Sequence, residues 1–294
     1  MSASSISFAV IIPIFNRPWL LSASLTSACQ QTYRPSQILV VDDFSDECYL
    51  AEFARIIDRH RAVLPLKYIR LASNMGPAAA RNSALEHLDS SVTHVSFLDS
   101  DDVWHPDKLL AVASVYAAFG SDIVLHSYST QAAFGSLSIN TLADLTATAK
   151  RVPLFASLMS NPCQTSCLAM ARSAILPFPS RQRYCEDYCL ILVALVSRRS
   201  VFKIDAPLTI LGRGQHSSGG LSEDIIRMRI GELSAYWQCA CHSGVFFLFP
   251  FLLILSLFKA LFLFGRLFVG RLLDLLSCFL LDPPTLEIIA ALYC

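Results

Sequence analysis

The residues with the greatest capacity for chemistry are carboxylates that follow apolar runs. After VSFL come Asp99-Ser-Asp101-Asp102, three carboxylates within four residues. Carboxylates this close repel one another, and a hard divalent cation between them relieves the repulsion. With so few protein donors, the remaining coordination positions would fall to water and substrate phosphates, the habit of Mg2+ or Mn2+. The same residues also suit a solvated turn, with Asp102 or Asp107 leading into a helix from Lys108. Asp42-Asp43 closes another apolar run, and taken alone two acids there read equally as a turn. In Asn74-Met75-Gly76-Pro77 the glycine permits an unusual backbone turn and the proline suits a first helical turn. Arg81 follows about one turn further in, where a cation can reach a phosphate. Glu186-Asp187 precedes the apolar run CLILVALV, where acids also favour a helix N-terminus. His216 lies in a Gly/Ser loop, Gly212–Ser222.

These groups need elements to hold them. Phe8–Ile14 is a continuous β-branched run, as expected of a parallel strand buried on both faces. A helix over Trp19–Gln31 follows, then a strand Gln37–Val41 and a helix from Cys48 to about Arg61. A strand Leu66–Leu71, a helix Gly76–Leu88 and a strand His94–Leu98 complete the pattern. The alternation predicts a doubly wound α/β sheet with right-handed crossovers. Asn16-Arg17, Asp42-Asp43 and Asp99/Asp101/Asp102 each follow a strand directly. In such sheets ligands bind at the carboxyl ends of the strands, so one polar site along that edge is expected. Beyond residue 120 the pattern thins. It gives a strand Ile123–Tyr128, a helix over Glu186–Val196, short strands at Phe202–Ile204 and Thr209–Leu211, and a helix from about Glu223 to Cys241.

The segments IIPIFNR (11–17), VVDDFSDE (40–47), NMGPAAARN (74–82) and FLDSDDVWHPDKL (97–109) occur in an order and spacing that resembles the family 2 glycosyltransferases. The likeness covers residues 6–110 closely and returns at Arg183–Tyr188. It implies a GT-A fold: Rossmann-like, with a mixed, mostly parallel sheet flanked by helices. It further implies a nucleotide-diphosphate sugar donor and a divalent metal, Mn2+ or Mg2+. By this resemblance Pro13 and Phe15 lie beside the base, an acid of the Asp42/Asp43 pair faces its N–H edge, and Arg81 helps hold the nucleotide. Asn16, Asn74 and Gly76 belong to the same nucleotide-sugar site. Asp99 and Asp101 form the DXD motif, Asp99 on the donor and both toward the metal. Asp187, with Glu186 beside it, is the implied general base of an inverting single displacement, and His216 resembles a histidine that some relatives place against the diphosphate. There is no Q-x-x-R-W motif, so one sugar per catalytic event is the better reading than processive synthesis.

Composition sets limits on these readings. The chain has 294 residues, 54% hydrophobic and 16% charged, which excludes a disordered protein. Its 23 basic and 23 acidic residues leave no overall field to attract nucleic acid. The ten cysteines form no C-x-x-C pair, and Cys239/Cys241/His242 lacks a second ligand pair for zinc. Buried free thiols in a reducing compartment are expected, and the first residues do not read as a secretory signal.

The apolar excess is concentrated from Val245 to Leu281, where charges stand only at Lys259, Arg266, Arg271 and Asp274. On a helical wheel Ser256, Lys259, Arg266, Gly270, Arg271, Asp274 and Ser277 fall within an arc of about 140°. The expectation is one or two amphipathic helices lying in a membrane interface, ahead of a single spanning segment or a buried dimer contact. The expected organisation is a catalytic domain over 1–222, with a nucleotide half 1–110 and an acceptor half 111–222. A linking helix over 223–244 and a membrane-associating tail over 245–294 follow. Such a protein would sit at the cytoplasmic face of the inner membrane and act on a glycan or lipid-linked acceptor in cell-surface polysaccharide or lipopolysaccharide synthesis. Two competitors remain at this level. One is a sugar-phosphate nucleotidyltransferase, disfavoured because IIPIFNRPW has no glycine-rich phosphate loop; the other is an inactive membrane-bound scaffold of the same fold.

Overall fold

Every residue of the first apolar run is buried, and it forms strand β1, Phe8–Ile14. In this computed structural model, residues 6–62, 65–130, 146–212, 224–244, 246 and 249–261 are described. Side chains alternate across a strand, so β1 feeds two cores at once. Phe8, Val10, Ile12 and Ile14 join one apolar layer, and Ala9 and Ile11 the other.

Helix α1 (Pro18–Cys29) begins on a proline, whose missing N–H costs nothing in a first turn. It leads to β2 (Gln37–Asp42), α2 (Glu47–Arg61), β3 (Leu66–Arg70), α3 (Pro77–Leu85) and β4 (His94–Phe97). Strand β5 (Val103–Trp104) precedes α4 (Lys108–Phe119), which stops at Gly120 in the left-handed region at φ 56°. Then come β6 (Ile123–Ser129), β7 (Lys150–Arg151), α5 (Leu154–Met159), β8 (Leu168–Ala171), α6 (Glu186–Val196), β9 (Val201–Ile210) and α7 (Ile225–Ser243).

Among the described residues the strands form one sheet in the order β3-β2-β1-β4-β8-β6-β9-β5, with β7 also paired to β9. Strands β1, β2, β3 and β4 run parallel. Strand β8 is antiparallel to both β4 and β6, while β6 and β9 pair in parallel. This is the mixed, mostly parallel sheet flanked by helices that the α/β reading anticipates. The chain order reverses at β1, between β2 and β4, so a crevice opens there at the strands' carboxyl ends.

Two expectations are corrected. Phe202–Ile204 and Thr209–Leu211 are not separate strands, because β9 runs through both. Pro207 lies opposite Ser127, where the register against β6 slips; the irregularity accommodates a residue without an N–H donor. The helix expected as a linker is α7, and it packs on α6. Gln182 Nε2 donates to the Gly231 carbonyl at 3.0 Å, and a Cβ at Gly231 would lie 2.5 Å from the Tyr184 carbonyl oxygen. Residues Met1–Phe246, α7 included, therefore make one compact unit, and Phe247–Cys294 make a second.

Within the second unit the described residues 249–261 are helical, with Phe251, Ile254, Leu257, Phe258 and Leu261 exposed and Ser256 buried. No helix of the described residues is long and apolar enough to cross a membrane. Residues 262–294, which include Arg266, Arg271 and Asp274, lie outside the described residues.

Candidate active site

The crevice begins where β1 ends. In β1 the odd-numbered residues direct their backbone toward β4, since the Ile11 carbonyl accepts from Leu98 N–H at 3.0 Å. The paired part of β4 stops at Ile11↔Phe97, so the missing N–H of Pro13 falls where no ladder partner stands. Pro13 itself is buried in the strand, whereas Phe15 projects with 43% of its surface exposed. Asn16 takes a left-handed backbone (φ 52°). Its amide exchanges hydrogen bonds with Asp46: Nδ2 donates to the carboxylate at 2.9 Å and Oδ1 accepts from Asp46 N–H at 2.8 Å.

The two acids after β2 do different work. Asp42 is fully buried, and its Oδ1 accepts from the Ser45 backbone N–H at 2.9 Å and from Ser45 Oγ at 2.5 Å. Its Oδ2 accepts from Tyr68 Oη at 2.6 Å and faces Arg70 Nε at 3.5 Å. Three hydrogen bonds and this ion pair tie the Asp42 carboxylate into the protein, which leaves Asp43 as the more available acid of the pair. Asp43 accepts one bond per oxygen, from Met75 N–H and Gly76 N–H, both at 2.8 Å. It keeps a lone pair on each oxygen. Burial pushes its carboxyl above the usual range, against the pull of those two N–H groups. Asn74 Nδ2 donates to the Asp43 carbonyl at 3.1 Å, and Gly76 takes φ 88°, so Asp43 organises the whole Asn74–Gly76 turn. Across this rim, the Arg70 guanidinium lies 5.1 Å from the ring of Phe44, which is 45% exposed.

The carboxylate cluster after β4 is held by a residue with no sequence signal. Ser166 Oγ accepts from Asp99 N–H at 2.9 Å and donates to Asp102 Oδ2. The other Asp102 oxygen accepts from Gly212 N–H at 3.0 Å. Gly212 approaches so closely that a Cβ there would stand 1.7 Å from the Asp101 carbonyl oxygen. Burial, with the charges of Asp99 and Asp101 beside it, pushes the Asp102 carboxyl up to about 8. Asp102 is thus a structural strut and does not serve as a helix cap.

Arg81 stands in the first turns of α3, where Ala78, Ala79 and Ala80 let the helix press against the sheet. It is 2% exposed. Its Nη2 donates to Asp99 Oδ1 at 2.7 Å, its Nη1 to Glu186 Oε1 at 3.0 Å, and its guanidinium sits 5.2 Å from the ring of Phe178. Two of its five N–H donors are therefore engaged with protein carboxylates, and the side chain is held between the two acids.

Glu186 and Asp187 open α6 after Cys185, which adopts φ 58°. Asp187 Oδ1 accepts from Tyr188 N–H at 2.7 Å. Burial and the charge of Glu186 nevertheless push the Asp187 carboxyl up to about 7. A carboxyl so placed exchanges its proton near neutrality, as a general base should. His216 lies outside the described residues, as does the rest of the loop from 213 to 223.

The cluster suits a hard cation in donor chemistry. Asp101 and the second oxygen of Asp99 supply carboxylate oxygens, the hard donors such a cation takes. Among the described residues no group of three or more His, Cys, Asp or Glu is arranged to hold a metal unaided, so further ligands would come from substrate phosphates and water. The described cysteines are free thiols.

Comparison with known proteins agrees with this architecture. The family model described as Glycosyl transferase family 2 matches residues 9–173. ExoW of Rhizobium meliloti (strain 1021), a succinoglycan biosynthesis protein, is 36% identical over 114 residues, 38% of this chain and only 35% of its own length. WfgD of Escherichia coli, a UDP-Glc:alpha-D-GlcNAc-diphosphoundecaprenol beta-1,3-glucosyltransferase, is 28% identical over 189 residues, 64% of this chain and 69% of that one. Among solved structures, the mannosyltransferase PcManGT from Pyrobaculum calidifontis, in complex with GDP-Man and Mn2+, superposes with a TM-score of 0.58 at 17% identity. That match covers 94% of this chain and 81% of that one. S. aureus TarS 1-349 in complex with UDP gives 0.55 at 22% identity, over 79% of this chain and 66% of that one. With the family match extending from β1 to just past β8, the chain belongs to glycosyltransferase family 2.

Proposed function

We propose that the protein is an inverting glycosyltransferase that moves a sugar from a nucleotide-diphosphate donor to a hydroxyl of a glycan acceptor. The observation that carries this reading is the Arg81 bridge between Asp99 and Glu186, which draws the donor-side carboxylates and the candidate base Asp187 into one site. The base of the donor lies against Phe15, and Asp43 is the acid with lone pairs left to receive its N–H edge. Asp101 and the second oxygen of Asp99 are the residues that would hold a divalent cation, Mn2+ or Mg2+. When bound, that cation supplies charge neutralisation to the leaving group. Asp187 takes the proton of the acceptor hydroxyl as its oxygen bonds to C1 of the sugar. The bond from C1 to the diphosphate oxygen breaks, and the nucleoside diphosphate leaves from the opposite face. His216, from the loop beyond Gly212, is assigned to the diphosphate.

A lipid-linked acceptor in cell-surface polysaccharide synthesis is the favoured substrate class. WfgD, by its name, acts on a diphosphoundecaprenol-linked sugar, and ExoW is named for succinoglycan biosynthesis. The exposed apolar side chains of residues 249–261 support attachment of the tail to the cytoplasmic face of the inner membrane. The test is release of nucleoside diphosphate from a panel of UDP-, GDP- and dTDP-sugars with Mn2+. One donor is expected to be consumed, with Asp101→Ala and Asp187→Ala inactive. No release from any donor, or full activity in both variants, rejects the reading.

A further inference from the structure

Away from the crevice, the edge strand β7, the start of α5 and the end of α6 enclose a cavity of about 450 Å³. Its floor is apolar, formed by Val152, Leu154 and Leu195, and its rim carries Arg151, Arg198 and Arg199. Only Arg199 has an acidic partner among the described residues: it faces Asp122 at 3.7 Å. Arg198 holds a left-handed backbone at φ 60°, directly after the Ser197 cap of α6. That position favours glycine, so an arginine there carries a modest conformational cost. Beside the cavity Phe155 and Met159, one turn apart on α5, project 78% and 47% exposed.

Cations around an apolar floor, with an aromatic and a methionine side chain projecting beside them, match an anionic lipid surface: headgroup phosphates meet the arginines and the projecting side chains enter the acyl boundary. We infer that the Arg151/Arg198/Arg199 patch with Phe155 and Met159 is a membrane-docking surface of the catalytic unit, separate from the tail and selective for anionic phospholipid. Nucleic acid is a poorer match, because the chain carries no net charge and the patch is confined to one cavity. The inference rests on the membrane reading of the proposed function for its occupant, but on different residues. Helix α6 links the two sites, with Asp187 in its first turn and the patch at its end, about 16 Å along the axis. Docking there would hold the candidate base at a set height above the lipid.

The test is hydrogen exchange on the full chain with phosphatidylglycerol vesicles, phosphatidylcholine vesicles, or sodium pyrophosphate alone. Amides in 150–159 and 195–200 are expected to slow with phosphatidylglycerol only. Arg151→Glu/Arg198→Glu should abolish that protection and weaken partitioning by more than the roughly 30-fold that loss of two cations alone gives at about 1 kcal/mol each, while donor turnover in detergent stays unchanged. Arg151→Gln/Arg198→Gln is the milder pair should the reversal impair folding. Protection confined to residues beyond 245 overturns the patch and leaves the tail reading intact. Protection by pyrophosphate alone makes it a free-anion site and also overturns the inference. Absence of vesicle binding anywhere in the chain overturns both.

Discussion

Asp99 and Glu186 are held by one buried guanidinium, that of Arg81, at 2.7 and 3.0 Å. A residue of α3 thereby sets the spacing between the end of β4 and the start of α6. Lysine has one point charge and cannot span two carboxylates in fixed directions. Arg81→Lys is expected to keep the fold and lower kcat at least ten-fold, with a smaller change in KM for the donor. Arg81→Ala leaves the Glu186 carboxylate buried without a partner and should cost about 3–5 kcal/mol of stability. Denaturant unfolding beside steady-state kinetics checks both.

The Asp187 carboxyl must be ionised to act as a base. Because burial and Glu186 push it up to about 7, kcat/KM should rise with pH and level off above about 7. The stability consequence has the opposite sign. A carboxyl raised in the folded state contributes stability that is fully present below its ordinary value of 3.8 and is lost as pH rises through about 7. Asp187→Asn should therefore lose on the order of 10²–10⁴ in kcat, yet melt higher than the parent at pH 8 and show little advantage at pH 4. Calorimetry across that range settles the sign.

Ser166 and Gly212 position the carboxylate turn through Asp99 N–H and the Asp102 carboxylate. Gly212→Ala puts a methyl into the Asp101 carbonyl and has to displace that turn. Ser166→Ala removes a bond to Asp102 and leaves Asp99 N–H without its acceptor. Both variants are expected to fold and to lose activity, with the loss expressed as a higher Mn2+ concentration for half-activity. Normal activity in Gly212→Ala would show that the turn relaxes freely.

Asp99 and Asp101 should separate cleanly. Asp101→Asn is expected to raise the Mn2+ concentration for half-activity about ten-fold or more. Asp99→Asn also breaks the buried pair with Arg81, so it should lower both activity and stability. Chelation with EDTA should abolish turnover and be reversed by Mn2+. Metal titrations and thermal melts on the two variants make the comparison.

Local pattern made much of the molecule legible. The apolar runs at Phe8–Ile14 and Gln37–Asp42 form strands as read, and the helix at Glu186–Val196 begins and ends where expected, because burial on both faces and period 3.6 are written residue by residue. The four motifs sit at strand ends for the same reason, since polar clusters terminate apolar runs. Other features depend on partners distant in the chain and leave no local mark. Asp42 and Asp43 are adjacent and chemically identical, yet only the fold fills one carboxylate with Ser45, Tyr68 and Arg70 and turns the other to the Asn74–Gly76 turn. Ser166 has no motif, and its importance exists only because β8 docks beside β4. Arg81 reads from sequence as a cation one turn into a helix, and only the fold brings Asp99 and Glu186 to its guanidinium. Sequence by itself determined which residue types stand at the ends of which strands. Tertiary structure decided how each charge is spent, because desolvation and hydrogen-bond saturation are properties of neighbours brought together by folding.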